Sequence, residues 1–73
     1  MAVEYCITVI DGGEVSFYGG DATSMGMSIP TFTDVSDMVT YSDIDDCYDD
    51  IDKLTAIYPS MEIHVSRYVT VDG

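Results

Sequence analysis

Between Ser42 and Tyr58 the chain carries a single apolar stripe: Ile44, Cys47, Tyr48, Ile51, Leu54 and Tyr58 recur at intervals of three and four, the spacing of one helical face. Ser42 with Asp45 forms a capping-box-like start and Pro59 blocks continuation, so the pattern predicts a helix of about four turns. No second stretch repeats this period. A lone amphipathic helix cannot bury its stripe against another helix, so the remaining residues must supply a sheet. A chain of 73 residues buries only about 60% of its unfolded surface, which leaves one core and one domain, residues 1–73.

The strands emerge from period-two patterning. Val3, Tyr5, Ile7 and Val9 alternate with Glu4, Cys6 and Thr8, and Asp11-Gly12-Gly13 supplies a hairpin turn. Val15 and Phe17, alternating with Glu14, Ser16 and Tyr18, then form the return strand. Gly19 to Ser28 has no period and reads as a mobile loop, while Pro30 restricts the residues around it to an edge or extended segment. Asp37 to Tyr41 reads as a short third strand. Met61, Ile63 and Val65 alternate with Glu62, His64 and Ser66, and the same parity runs on through Arg67, Val69 and Val71. The expected fold is α+β: a two-layer domain with a small antiparallel sheet of three or four strands, in the order β-β-(β)-α-β, and one helix packed on one face. On these parities Glu4, Glu14, Tyr18, Glu62, His64 and Tyr68 share the side opposite the helix. Tyrosines among acids have the make-up of an interaction surface, and cross-strand packing of Tyr18 and Tyr68 is the plain alternative.

The predicted helix is also where charge gathers. Asp43, Asp45, Asp46, Asp49, Asp50 and Asp52 are six aspartates within the twelve residues Ser42 to Lys53. At 100° per residue with Ile44 at zero, the apolar stripe spans about 280° through 0° to 40° and the aspartates about 80° to 260°. Asp43 to Asp52 covers about 13.5 Å, roughly one carboxylate per 2.3 Å, against about 1.7 Å per charge in duplex DNA. Helix stability does not favour this choice: Asp is a poor interior helix former, and like charges four residues apart cost a few tenths of a kcal/mol each. A merely solubilising face is the bland explanation. Against it stands the scarcity of counter-charge, since fourteen acids face only Lys53 and Arg67 and the formal net charge is -12. Such a chain is repelled by nucleic acid and by anionic membrane and attracted to basic partners.

Chemistry-bearing patterns fail on inspection. An EF-hand loop counted from Asp43 meets Cys47 at position 5, Tyr48 at position 6 and Leu54 at position 12, where an acid, Gly and Glu are needed. Cys6 and His64 lack an orienting third group, and Cys6, Cys47 and His64 together fall one short of a four-ligand zinc site. Gly12-Gly13 and Gly19-Gly20 build no phosphate loop. No catalytic residue, metal or cofactor is therefore expected, and the chain reads as a binding protein. Cys6 and Cys47 fall on opposite sides of the sheet and are expected to stay as free thiols. With no leader-like start and no long apolar run, a cytoplasmic location is expected.

Short length, high negative charge, the segment SDIDDCYDDID and a tyrosine-bearing sheet together resemble a class: small acidic phage-encoded inhibitors of host defence nucleases, of the anti-CRISPR and antirestriction type. That resemblance implies a DNA mimic occupying the basic nucleic-acid groove of a CRISPR-Cas effector or comparable nuclease in the host cytoplasm. The residues that would make the contact are Asp43, Asp45, Asp46, Asp49, Asp50 and Asp52, with Glu62, Tyr18 and Tyr68 on the sheet. An antitoxin or immunity protein for a basic nuclease has the same charge complementarity, and a small structural or assembly protein is the alternative of another class. Monomer and dimer are both open.

Overall fold

The computed structural model describes residues 2–70, in which the elements are β1 (Ala2–Asp11), β2 (Glu14–Ser24), β3 (Met27–Thr33), α1 (Ile44–Ile57) and β4 (Glu62–Thr70). The strands form one antiparallel sheet in the order β3-β2-β1-β4, and α1 packs on one face, giving the two-layer α+β arrangement that a single apolar stripe requires. Ile7 opposite Val65 and Val9 opposite Ile63 bring the odd-numbered residues of β1 and β4 together beneath the helix. Ile7, Val9, Tyr18, Cys47 and Leu54 form the buried centre, with Tyr5, Phe32, Tyr41, Ile51, Met61, Ile63 and Val65 around it. The expected extension of the last strand to Val71 lies outside the described residues.

The first hairpin turns through Gly12 and Gly13, both at positive φ (60° and 87°), with Asp11 opposite Glu14. A two-residue turn fixes the register, and side chains alternate with period two, so Val9 faces Ser16 and Thr8 faces Phe17. This overturns the expected parity of β2. Tyr18 is not on the outer face with Tyr68; it lies beneath the helix, 3% exposed, while Val15 lies on the bare face and is 60% exposed. Glu14 likewise leaves the outer set and sits beside the turn opposite Asp11.

Beyond Tyr18 the strand is bulged. Tyr18 pairs with Phe32 and Asp21 with Pro30, leaving Gly19 and Gly20 together opposite Thr31. Gly20 needs its φ of 94°, and a Cβ on Gly19 would come within 2.9 Å of Thr33 Cγ2. The extra residue shifts the alternation by one, so Asp21 falls on the same face as Tyr18. β2 then continues to Ser24 and returns as β3 through Met25 and Gly26, both at positive φ (52° and 76°). The segment expected to be a mobile loop is therefore a second hairpin. Residues 21–29 are exposed throughout, so no buried face imposes a period-two pattern on them.

The third strand is β3, not the expected Asp37–Tyr41, which contributes one isolated bridge between Tyr41 and Tyr5. Its backbone fills the gap where β2 bends away from β1: Val39 N donates to Tyr18 O at 3.0 Å, and Tyr41 and Tyr5 exchange bonds of 2.7 and 2.8 Å. The helix begins one residue later than its sequence cap suggests. Asp43 is the N-cap, its carboxylate accepting from Asp45 N at 2.9 Å, and Tyr58 N–H closes the last turn on Leu54 O at 2.8 Å. No helix among the described residues is long and apolar enough to cross a membrane.

Candidate functional site

Cys47 and Leu54 are the two fully buried residues of α1. On the helical wheel they fall at about 300° and 280°, so the buried direction centres near 290°. Asp50, at about 240°, lies only about 50° from that centre, whereas Tyr48, at about 40°, lies about 110° away. The environments agree: Tyr48 is 47% exposed, and Asp50 is half-buried. Asp43, Asp45, Asp46, Asp49 and Asp52 are exposed. Five outward carboxylates over about 13.5 Å give roughly one per 2.7 Å, a wider spacing than the sequence implied with Asp50 included.

Asp50 turns toward the sheet side instead. Its Oδ2 accepts from Tyr41 Oη at 2.6 Å, and its Oδ1 lies 4.0 Å from Lys53 Nζ. Lys53 in turn reaches Asp21 Oδ2 at 2.9 Å, and Asp21 Oδ1 accepts from Tyr18 Oη at 2.5 Å. Tyr18, Asp21, Lys53, Asp50 and Tyr41 thus form one chain of contacts across helix, bulged strand and cross-connection. Burial, together with the bonds to Asp21 and Asp50, holds the Tyr18 and Tyr41 hydroxyls above the ordinary phenol range. The Tyr18 hydroxyl and the Lys53 ammonium hold Asp21 below the usual carboxylate range, and Asp21 raises Lys53. These groups stay in the charge states that the bonds need throughout the neutral range.

This network absorbs the chain's one lysine. The helix offers no other basic side chain, so nothing on α1 offsets its exposed aspartates. Arg67 is exposed on β4 and makes no ion pair within 4 Å among the described residues. The outward aspartates diverge around the helix: among the described residues, no three carboxylates, cysteines or histidines converge on a point suited to a metal ion. The same residues enclose no pocket.

The expected sheet contacts divide. Tyr68 and Glu62 do lie on the face opposite the helix, Glu62 within 3.2 Å of His64 Nε2, but that face looks away from the aspartates. Tyr18 is internal. A single flat partner surface cannot therefore meet both the acidic helix and Tyr68. Cys6 and Cys47 are free and buried, with Cys47 Sγ 3.8 Å from Cys6 O. Burial pushes the Cys47 thiol up to about 11. Sequence reasoning missed Asp21 and Tyr41 as partners of Lys53 and Asp50; the available signal was Gly19-Gly20, a glycine pair inside a strand pattern and therefore a bulge candidate. Comparison with protein-family models, curated proteins and solved structures finds no match.

Proposed function

We propose that this protein is an acidic inhibitor that occupies the basic nucleic-acid groove of another protein, with Asp43, Asp45, Asp46, Asp49 and Asp52 standing where phosphates would lie. The observation that supports this most is the one-sided charge of α1: five outward carboxylates and a lysine turned inward onto Asp21. Lys- and Arg-lined grooves steer such a face toward themselves, and arginine forks donate to carboxylate oxygens as they do to phosphate oxygens. The foremost target, on the resemblance to anti-CRISPR and antirestriction proteins, is a CRISPR-Cas effector or a related nuclease. Asp50 belongs to the fold more than to the contact.

The test is capture of partners from a bacterial lysate by the tagged chain at low and high salt, followed by identification and a nucleic-acid competition assay on the captured proteins. Basic nucleic-acid-binding proteins retained at low salt, released at high salt and displaced by duplex DNA support mimicry. The triple variant Asp45→Lys, Asp46→Lys, Asp49→Lys should abolish capture while leaving the fold intact. Salt-independent capture, or capture unchanged in that variant, removes the helix from the interface.

A further inference from the structure

One helix covers one face of the sheet, and the other face is bare. Register places Ile10 of β1, Val15 and Phe17 of β2, Met27 and Ile29 of β3 and Tyr68 of β4 on it. Val15 and Met27 are 60% and 66% exposed, and Ile29 and Tyr68 are also among the exposed large apolar side chains. Between these lie Thr8, bonded through Oγ1 to Ser66 Oγ at 2.5 Å, and the small residue Cys6. The only acids that the strand register brings to this face among the described residues are Glu4 and Glu62. Residues 22–33, which form most of the second hairpin, contain no charged residue at all. Apart from Glu4, Glu62 and His64, the residues that the register brings to the bare face carry no charge, whereas five exposed aspartates crowd the helix on the other side.

We propose that this face is a homodimer interface, with two copies packing sheet to sheet into a four-layer sandwich. Area permits it. Four strands spaced about 4.8 Å apart and averaging about nine residues at 3.3 Å give a face of about 19 by 30 Å, or about 550 Å² per copy. Two copies bury about 1,100 Å², just past the roughly 1,000 Å² that a specific interface needs. Charge selects a second copy rather than a basic partner here, because the face has almost no carboxylates to offer one. The same segregation removes the obstacle to bringing two chains of net charge -12 together. With helix, sheet, sheet and helix stacked at intervals of about 10 Å, the two acidic helices lie about 30 Å apart, several Debye lengths of about 8 Å at physiological salt. Packing through the helix faces would instead set the aspartates against one another. The dimer would carry one acidic helix on each outer surface, and its formation does not depend on what those helices bind.

Sedimentation velocity on the full chain at about 100 μM, in about 50 and about 500 mM salt, tests this. The expected mass is about twice the 8.0 kDa of one chain, and association should strengthen with salt as the residual repulsion is screened. Capture of a basic partner by the helix weakens with salt, so the two interactions respond in opposite directions. The variant Val15→Lys, Ile29→Lys, changed at two exposed positions, should sediment as a folded monomer even though it lowers the net charge. Ile57→Lys, at an exposed position on the helix, should leave the dimer intact. A monomeric wild type, association that weakens with salt, or a dimer that survives Val15→Lys, Ile29→Lys would overturn the proposal, the last pointing to pairing at the β3 or β4 edge.

Discussion

Asp49 and Asp50 are neighbours in sequence, and the fold assigns them opposite energetic signs. Asp50 accepts the Tyr41 hydroxyl at 2.6 Å in a half-buried setting, whereas Asp49 is exposed. A hydrogen bond to a charged group contributes about 1.5–3 kcal/mol; partial exposure of Asp50 reduces this to about 1–2 kcal/mol. Tyr41→Phe should cost that amount in the wild type and much less in an Asp50→Ala background, giving a coupling of about 1 kcal/mol in the double-mutant cycle. Asp49→Ala should instead stabilise by about 0.5–1 kcal/mol, because it relieves like-charge repulsion and replaces a poor helix former. Urea unfolding followed by far-UV circular dichroism reads both effects. With a slope of about 1 kcal/mol/M for a domain of this size, Tyr41→Phe moves the midpoint down by about 1–2 M and Asp49→Ala moves it up by less than about 1 M. A coupling under about 0.3 kcal/mol would show that Asp50 does not rely on Tyr41. It would then return to the outward acidic set.

Four further outcomes rest on named contacts. Leu54→Ala empties a fully buried site on the helix and should cost about 2–5 kcal/mol, a large share of the roughly 4–11 kcal/mol available to a chain this long, measured by the same urea titration. Cys47, buried and with its thiol raised to about 11, should resist a thiol reagent at pH 8 in the native protein and react promptly in denaturant; fast native labelling would contradict its placement. Met25 occupies the turn with φ of 52° although it is not glycine, and it is 99% exposed, so Met25→Asn should raise stability by about 0.5–1 kcal/mol in urea unfolding. For the Asp21 and Lys53 pair, Asp21 is lowered from 3.8 and Lys53 raised from 10.5, so the tie is complete between those values. It is lost as pH falls through the lowered Asp21 value or rises through the raised Lys53 value, and the stability difference between wild type and Asp21→Asn should shrink at both ends.

The helix and the long first and last strands are legible in the sequence because each buries one face, and burial writes a period into the residues. The errors share a cause. In β2 the apolar alternation of Val15 and Phe17 suggests an inward face, yet the two-residue turn at Gly12-Gly13 sends Ser16 and Tyr18 inward instead. Turn length outranks hydrophobicity there, because a two-residue turn and the period-two alternation together set the side that each residue of β2 takes. The second hairpin leaves no periodic signal since both of its faces meet solvent. At the site, five of the six aspartates are exposed as the wheel reads them; Asp50 is half-buried because the buried direction centres on Cys47 and Leu54 and not on a stripe that includes Tyr48, and its partner Tyr41 comes from the cross-connection bridged to Tyr5.

That bulge links the two halves of the functional argument. By shifting the alternation of β2 it brings Asp21 onto the helix side, where Asp21 draws Lys53 away from the aspartates of α1. With Gly19 and Gly20 in unbroken alternation and no bulge, Asp21 would point to the bare face, placing a carboxylate among Val15, Phe17 and Ile29 and freeing Lys53 to offset the acidic surface. Gly20→Val, which opposes the φ of 94° that the bulge needs, should therefore weaken both properties at once: the helix would lose its unpaired charge and the sheet face its apolar character. Competition with duplex DNA for a captured partner reads the first effect and sedimentation the second. Loss of one with the other intact would separate the acidic helix from the apolar face as independent features of the fold.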